Sequence, residues 1–308
     1  MKTVLVTGSS GMLGKSVCDK FYSKNFDVIS LKREDVDLRD SIKTLSYLSY
    51  LKIDLIVHCA AEVGGIQSNI DGGNKFFINN VMIDSSVLFA ARNLNIKNLI
   101  YIGSSCMYPA NKNDPLKESD LFSGKLEPTN ESYALAKIYG SQLTKSISIE
   151  DNLDWRVFIA SNLYGPHDHF ESKKSHLLSS VISKVVNAID KQQNFIEMWG
   201  DGSPKREFTY VSDFAEWILY SSNKLSDLPY VLNTGIGVDF TVLEYYQKVA
   251  KFLGWDGEII SNRNMPNGNS RKLMDSSLAR LSGWNPTTSI DQGIELTINW
   301  YLNNRSKE

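Results

Sequence analysis

Short apolar runs alternate with amphipathic, helix-like stretches along the first half of the chain. The run 54–59 is almost entirely apolar, as expected for a strand of a parallel sheet that is covered on both faces. Alternation of strands and helices at this spacing predicts βαβ units, and therefore a doubly wound parallel sheet. The predicted strands are 3–7, 27–31, 54–59, 99–103 and 155–160, and the predicted helices are 12–23, 41–50, 74–94 and 131–149.

The pattern loosens after residue 166, where polar loops interrupt shorter elements. We interpret residues 1–165 as a dinucleotide-binding domain of the Rossmann type, to which segments near 211–235 return. Residues 166–210 and 236–308 are interpreted as a smaller C-terminal α/β domain that binds the substrate. No proline-rich linker separates the two halves, so we expect them to pack around a shared cleft.

Composition narrows the class of protein without identifying it. The 308 residues are 42% hydrophobic and 22% charged, with a formal net charge of -2, which argues against a nucleic-acid or membrane-surface partner. Cys18, Cys59 and Cys106 show neither metal-ligand spacing nor an even disulfide framework. Since no signal peptide is visible, these cysteines predict a reducing, cytoplasmic setting and no bound metal.

The first strand leads into a glycine-rich turn. Gly8, Gly11 and Gly14 form a G-x-x-G-x-x-G run between the first strand and the first helix. Glycines there allow a pyrophosphate to approach the helix N-terminus, whose N–H groups and dipole favour negative charge. We therefore predict a dinucleotide cofactor. Its expected contacts are Gly8, Ser10, Gly11, Met12, Leu13, Gly14, Lys32, Arg33, Asp37, Leu38, Ala60, Ala61, Tyr133 and Lys137.

The end of the second strand discriminates between NADH and NADPH. An acidic side chain there would bind the ribose hydroxyls of NAD, but this chain has Lys32 and Arg33 at that place. Two cations suit the 2′-phosphate of NADPH, which we therefore predict as the cofactor. The plain alternative is a solvated basic turn, because Glu34 and Asp35 follow directly.

A Y-x-x-x-K pair lies on the helix after the fourth predicted strand. Tyr133 and Lys137 are one helical turn apart on one face, where an ammonium would lower the pKa of a phenol and make it a proton donor near neutral pH. Ser104 ends the fourth strand and is placed to hold a carbonyl oxygen. The order of glycine turn, serine, tyrosine and lysine predicts reduction of a ketone to an alcohol.

Two further side chains suggest proton exchange beside a ketone. Cys106 follows Ser104 by two residues, and His176 lies in a polar loop. A thiol and an imidazole facing one cleft would form a base and acid pair. Each also has a plain interpretation, as a buried small hydrophobe and as a structural histidine, and spacing alone does not bring them together.

Longer strings carry a family resemblance over nearly the whole chain. They include GSSCMYP at 103–109, LEPTNESYALAKIYG at 126–140, NLYGPHDHF at 162–170, WGDGSPKREFTYVSD at 199–213 and NTGIGVDFTVLE at 233–244. In these strings the chain resembles the GDP-L-fucose synthase family, which are GDP-4-keto-6-deoxymannose 3,5-epimerase/4-reductases within the extended short-chain dehydrogenases/reductases.

The resemblance implies a GDP-linked 4-keto-6-deoxy sugar as substrate and a homodimer formed through the two long helices. It implies that Ser104, Tyr133 and Lys137 are the reductive triad, and that Cys106 and His176 are the base and acid of epimerisation. The positions that match the GDP-sugar pocket are Asn162, Leu163, Trp199, Arg206 and Lys272. An Arg and Lys pair suits a diphosphate.

Several residues depart from the family pattern. Glu62 replaces a usual lysine, Asn267 replaces an acid, and Ser132 replaces a proline before the tyrosine. These changes leave room for a C4 reductase that does not epimerise, acting on a related GDP-4-keto-6-deoxyheptose of surface polysaccharide. A nucleotide-sugar 4-epimerase with bound NAD is a second alternative. Lys32 and Arg33 argue against it, because they favour NADPH. A non-enzymatic cofactor-binding module would not require the serine, tyrosine and lysine set.

Overall fold

The computed structural model describes residues 1–110, 112–170, 175–265 and 267–305. Its strands are β1 (Thr3–Thr7), β2 (Asp27–Leu31), β3 (Leu55–His58), β4 (Asn98–Ser104), β5 (Asp154–Ala160), β6 (Asn162–Tyr164), β7 (Phe195–Trp199), β8 (Lys205–Tyr210), β9 (Val231–Thr234), β10 (Asp239–Thr241), β11 (Glu258–Asn262) and β12 (Arg271–Lys272). Its helices are α1 (Met12–Tyr22), α2 (Ser41–Ser49), α3 (Ile66–Asn93), α4 (Glu131–Glu150), α5 (Leu177–Asp190), α6 (Val211–Ser221), α7 (Val242–Leu253), α8 (Ser277–Leu281) and α9 (Ile290–Asn304). Within these described ranges, no helix combines the length and apolarity needed to cross a bilayer.

A six-stranded parallel sheet forms the centre of the first half, in the order β2-β1-β3-β4-β5-β9. Successive side chains of a strand point to opposite faces, so Leu5 packs in the core under α2, α3 and α4, whereas Val4 and Val6 pack against α1 and α6. All three are fully buried. The predicted α/β fold with a doubly wound parallel sheet is confirmed.

One predicted boundary is wrong. The helix expected at 74–94 begins earlier, at Ile66, and bends where Gly72 departs from helical geometry (φ -129°, ψ 23°). The paired glycines Gly72 and Gly73 interrupt the apolar period, because glycine disfavours a helix interior. The sequence pattern therefore predicts that the helix begins after the bend, although the chain is helical on both sides of Gly72.

The remaining strands form two small sheets around a separate core. Strand β8 pairs with β10, β12 and β6, and β7 pairs with β11. Helices α5, α7 and α9 supply most of the apolar side chains of this third core. Helix α6 packs on α1, and β9 pairs with β5, so both lie with the first sheet. The domain boundaries themselves stay a prediction.

The sheet order reverses next to β1. The chain passes from β1 to β2 on one side and then to β3 on the other. Loops at the carboxyl ends of these strands diverge and leave a crevice, which is where ligands bind in open α/β sheets. The carboxyl ends of β1, β2, β3 and β4 are followed by the predicted cofactor and catalytic segments.

Candidate active site

The glycine turn is shaped for close approach of a ligand. Gly8 has a left-handed φ of +64°, and a Cβ there would lie 2.8 Å from the backbone of Ala60. A Cβ at Gly14 would overlap the carbonyl of Gly8. Gly11 caps α1 without a side-chain hydrogen bond, so the first N–H groups of this helix are not occupied by a capping side chain. The turn and the start of α1, with Ser10, Met12 and Leu13, therefore fit a pyrophosphate.

The basic turn after β2 lies beside the glycine turn. Lys32 and Arg33 are exposed, and the Lys32 ammonium forms an ion pair of 3.3 Å with Glu34. A cleft of about 510 Å³ is lined by Ser9, Ser10 and Lys32, among others. The two predicted segments therefore share one cleft, with a cation at its border.

Asp37 has a protein partner that sequence reasoning missed. Arg39 Nε lies 2.9 Å from Asp37 Oδ1, and Arg39 Nη2 lies 2.5 Å from Asp37 Oδ2. The hydrogen bonds from Arg39 hold the pKa of the Asp37 carboxyl well below its usual range. Leu38, which stands between Asp37 and Arg39 in the sequence, is buried. A third cation thus lies near the basic turn, and the D-L-R spacing is the signal that could have revealed it.

The reductive residues converge at the carboxyl end of β4. Tyr133 and Lys137 lie on one face of α4, and Ser104 is the last residue of β4. Burial raises the pKa of Tyr133, whereas an interaction with the Ser104 side chain acts in the opposite direction. The expected lowering of this pKa by Lys137 is therefore not seen. A phenol with a raised pKa is protonated at neutral pH, as a proton donor requires.

Lys137 is nearly inaccessible to solvent, at 3% exposure. Burial lowers its pKa, whereas the charge of Asp84 raises it. Asp84 lies on α3 and is fully buried, so sequence reasoning had no pattern by which to associate it with α4.

Cys106 lies in a short turn directly after β4, where two polar groups approach its sulfur. Asn130 Nδ2 lies 3.4 Å from Cys106 Sγ, and Lys272 Nζ lies 3.5 Å from it. The Cys106 N–H donates to Ser104 Oγ at 3.2 Å. Cys106 is thus in contact with one residue predicted to bind substrate, Lys272, and with one predicted to be catalytic, Ser104. Asn130 was missed, although it stands at the start of α4 within the motif that contains Tyr133.

His176 immediately precedes α5 and has a different partner. Its Nδ1 lies 3.3 Å from Asp168 Oδ1. Burial lowers the pKa of His176, but the hydrogen bond and charge of Asp168 outweigh it, so the pKa is raised above its usual value. The described contacts of Cys106 are with Asn130, Lys272 and Ser104, not with His176.

Arg206 and Lys272 are register partners on adjacent strands β8 and β12. Lys272 is buried and Arg206 is half-buried, and neither forms an ion pair with a carboxylate of the described residues. Arg206 donates to the backbone carbonyls of Lys205 and Asn269 at 2.8 and 2.7 Å. Burial lowers its pKa, which Cys106 and Glu127 partly offset. Buried cations without an anion are costly, so this pair is suited to an anionic ligand.

The other predicted pocket residues lie around the same small sheet. Asn162 on β6 donates from Nδ2 to the Glu207 carbonyl at 2.8 Å, and Leu163 beside it packs against the core under α1 and α6. Trp199 ends β7 with 39% of its surface exposed, and the Lys184 ammonium lies 5.9 Å from its ring centre. An indole this exposed is not an ordinary core side chain and offers a face to a ligand.

Glu207 was also missed. It is fully buried beside Arg206 and accepts the N–H groups of Gly237 at 2.6 Å and Met274 at 2.9 Å. Burial raises its pKa to about 7. This carboxyl joins the loop after β9 to the loop after β12. Lys272 is the last residue of β12. In the sequence Glu207 is one charge among several in a polar loop, so no signal distinguishes it.

Among the residues described, no cluster of three or more His, Cys, Asp or Glu side chains is arranged to hold a metal ion.

The parallel sheet, the glycine turn and the Ser–Tyr–Lys set define an oxidoreductase of the extended short-chain dehydrogenase/reductase type. The chain belongs to the NAD dependent epimerase/dehydratase family, whose model matches residues 4–235. It is 38% identical to the GDP-L-colitose synthase of Yersinia pseudotuberculosis over 99% of each chain. It is 36% identical to the GDP-L-fucose synthase of Azorhizobium caulinodans, covering 98% of this chain and 96% of the relative.

Solved structures agree with this placement. A GDP-mannoheptose C4 reductase from Campylobacter jejuni, solved with NADP bound, superposes with a TM-score of 0.88 at 25% identity, covering 98% of each chain. The resemblance to the GDP-L-fucose synthase family is therefore confirmed. The roles of individual residues remain proposals.

Proposed function

We propose that this protein reduces the C4 ketone of a GDP-linked 4-keto-6-deoxy sugar with NADPH, and that it also epimerises the sugar at C3 and C5. The observation that carries the reduction is the convergence of Ser104, Tyr133 and Lys137 at the edge of the sheet that holds the glycine turn. The GDP-sugar relatives at 36 and 38% identity support the substrate class.

The residues present fit NADPH. A Cβ at Gly8 or Gly14 would clash with the backbone of Ala60 or of Gly8, so these glycines keep the turn tight at the start of α1, where a pyrophosphate binds, and Lys32 and Arg33 supply cations for the 2′-phosphate. Ala60 and Ala61, after β3, present small side chains on the same edge. NADPH, when bound, supplies the hydride. The cofactor preference is tested by comparing KM values for NADPH and NADH, and a clear NADH preference would contradict it.

The chain's own residues supply the proton and orient the ketone. Ser104 donates a hydrogen bond to the C4 oxygen, and Tyr133 transfers its phenolic proton to that oxygen as the alcohol forms. Lys137, kept charged near Tyr133, stabilises the resulting phenolate. Because burial raises the pKa of Tyr133, the side chain is a donor at neutral pH rather than a base.

Epimerisation would precede reduction. Cys106, as a thiolate, removes a proton from a carbon beside the ketone, where the carbanion is stabilised by the carbonyl, and His176 returns a proton to the opposite face. The Lys272 ammonium lies 3.5 Å from this sulfur. The raised pKa of His176 keeps the imidazole protonated at higher pH, as an acid requires.

The diphosphate of the substrate is assigned to Arg206 and Lys272. Both cations lack a carboxylate partner among the described side chains, and they occupy paired positions on β8 and β12. A diphosphate would provide the missing negative charge and accept their donors. Trp199, Asn162 and Leu163 would line the remainder of the GDP-sugar pocket.

A second candidate function is C4 reduction without epimerisation, of a GDP-4-keto-6-deoxyheptose. One observation favours it: Glu62, which stands where the family usually has a lysine, is paired with Lys75 at 3.1 Å. The structural similarity to the heptose reductase points the same way.

One experiment separates the candidates. The protein is incubated with GDP-4-keto-6-deoxymannose in deuterated water without NADPH, and the sugar is analysed by NMR. Deuterium at C3 and C5 supports epimerisation, and its absence contradicts it. NADPH is then added with the hexose or the heptose substrate. Stoichiometric NADPH loss supports reduction, whereas interconversion of nucleotide sugars without loss would identify a 4-epimerase.

A homodimer is proposed through α3 and α4. These helices pack on each other and expose apolar side chains outward: Phe77, Ile78, Met82, Phe89, Leu135 and Ile149. Burying them against a second copy would remove an apolar patch from water. Light scattering that reports a monomer at micromolar concentration would contradict this.

The free thiols Cys18, Cys59 and Cys106 are consistent with work in a reducing cytoplasm.

A further inference from the structure

A row of buried polar side chains connects the glycine turn with α4. Thr7 Oγ1 lies 2.7 Å from His58 Nδ1, and His58 Nε2 lies 3.1 Å from Asp84 Oδ1. The Tyr101 hydroxyl donates to Asp84 Oδ2 at 2.6 Å. All four side chains are fully inaccessible to solvent. They come from β1, β3, α3 and β4, and we call them the buried polar row.

Both ends of the buried polar row touch the site. Thr7 Oγ1 accepts the N–H of Ala60 at 3.1 Å, directly beside the glycine turn. At the other end, the Lys137 ammonium lies 4.0 Å from the centre of the Tyr101 ring. A Cβ at Gly140 would overlap both the Tyr101 hydroxyl and Asp84 Oδ2, so α4 sits against the row without any intervening side chain.

A carboxylate in this position is costly unless its charge is used or compensated. The groups that face Lys137 from the packed elements are Asp84 on α3, Cys59 after β3, Tyr101 on β4 and Tyr133 on α4, with His58 behind Asp84. Among these described groups, Asp84 is the one acid that is ionised at neutral pH in its ordinary form. Burial disfavours the ammonium, and Asp84 opposes that effect.

We propose that Asp84, held by His58 and Tyr101, is the internal counter-ion that keeps Lys137 charged next to Tyr133. It is a positioning residue, since it acts through Lys137 and reaches neither substrate nor cofactor. The inference rests on the reductase function proposed above. A neutral lysine amine would not stabilise the Tyr133 phenolate, so the carboxylate sets the pH range in which Tyr133 works. Thr7 ties this charge to the turn that receives the cofactor.

The test compares pH profiles of kcat for NADPH-dependent reduction by the full chain. Asp84→Asn preserves size and removes the charge that raises the pKa of Lys137. The alkaline limb is therefore expected to move to lower pH by about half a unit or more. Coincident wild-type and variant profiles would overturn the proposal, even if kcat were lower throughout.

Tyr101→Phe is the second variant and decides the question if Asp84→Asn does not fold. It retains the ring under Lys137 and removes the hydrogen bond that holds Asp84 in place, so the effect of the carboxylate on Lys137 should weaken. The alkaline limb should then move to lower pH, by less than in Asp84→Asn, and an unshifted alkaline limb overturns the proposal. Ser148→Ala is the matched control. Ser148 lies on α4, as Lys137 does, and the change removes its hydrogen bonds to the carbonyls of Leu153 and Trp155. An equal shift in this control would also overturn the proposal.

A measurement without turnover separates this inference from the reductase assignment. The Lys137 ammonium is titrated by NMR of labelled lysine side chains, with Lys137→Met used to assign its signal, in the wild-type and Asp84→Asn backgrounds. The pKa of Lys137 is expected to fall in the Asn background, because burial then disfavours the ammonium unopposed, whether or not a substrate has been found. An unchanged titration overturns the role of Asp84, whereas failure to reduce any GDP-4-keto sugar contradicts the proposed function alone.

Discussion

The charged side chains in the two halves of the candidate site are partnered differently. On the cofactor side, Lys137 faces Asp84, which in turn receives hydrogen bonds from within the fold. On the side assigned to the substrate, the partners of Arg206 and Lys272 among the described residues are backbone carbonyls and a thiol. The first arrangement has its counter-charge within the fold. The second has no anion among the described side chains, and we infer that the substrate provides it.

The difference has a physical reason. Groups that move a proton must hold their ionisation state and position through every turnover, which requires internal partners of fixed geometry. Groups that bind a diphosphate need only be held in place, since the ligand brings the opposite charge. A residue's internal partners thus help to distinguish the machinery of reduction from that of recognition.

The largest expected effect is on the cofactor side, where the charged groups have partners within the fold. Tyr133→Phe removes the proton donor and should reduce NADPH consumption by about 10²–10⁴-fold, while NADPH binding, followed by fluorescence, remains. Tyr139→Phe is the control. Tyr139 lies on the same helix and its hydroxyl contacts Ser85 at 2.8 Å, so its loss should leave turnover near wild type. Equal effects of the two changes would contradict the assignment.

Cys106→Ser tests whether proton exchange and reduction are separable. Serine is a far weaker acid than cysteine, so exchange of deuterium into the sugar should fall about 100-fold. Reduction of a substrate that is already epimerised should remain within a few-fold, because Tyr133 and Lys137 are unchanged. Parallel loss of both activities would show that the thiol serves reduction instead.

A matched pair of lysine changes addresses the comparison directly. Lys137→Met leaves Asp84 without its ammonium and should cost about 2 kcal/mol of unfolding free energy. Lys272→Met removes a buried cation that has no carboxylate partner among the described residues, and should be neutral or slightly stabilising. Only the second should abolish part of the stabilisation by added GDP-sugar, measured as a Tm shift. A reversed order would refute the contrast between the two halves.

The smallest effect concerns His176. Its pKa is raised, because Asp168 outweighs burial. The acid acts only when protonated, so exchange is retained below this pKa and lost as pH rises through it. Asp168→Asn should lower the pKa and move the loss to lower pH, by about one unit or less. Asp190→Asn, which breaks an exposed pair with Arg305, should not move the profile.

Features that depend on neighbouring residues could be predicted from the chain. The strand, glycine turn and helix around Gly8 span few residues, and the Tyr133 and Lys137 pair follows from the helical repeat alone. The parallel sheet follows from the apolar strands at regular intervals. The start of α3 was placed wrongly, because Gly72 and Gly73 resemble a helix end when tertiary packing is unknown.

Partnerships across the sheet could not be predicted. His58 and Asp84 are 26 residues apart, and Cys106 and Lys272 are 166 apart. Their contacts depend on strand order, on the register that pairs Lys272 with Arg206, and on the seating of α4 at Gly140. The sequence by itself therefore determined the fold class, the glycine turn and the placement of the tyrosine and lysine on one helical face, since these follow from local spacing. Only the tertiary structure decided which charges have partners, because burial and long-range register set those contacts.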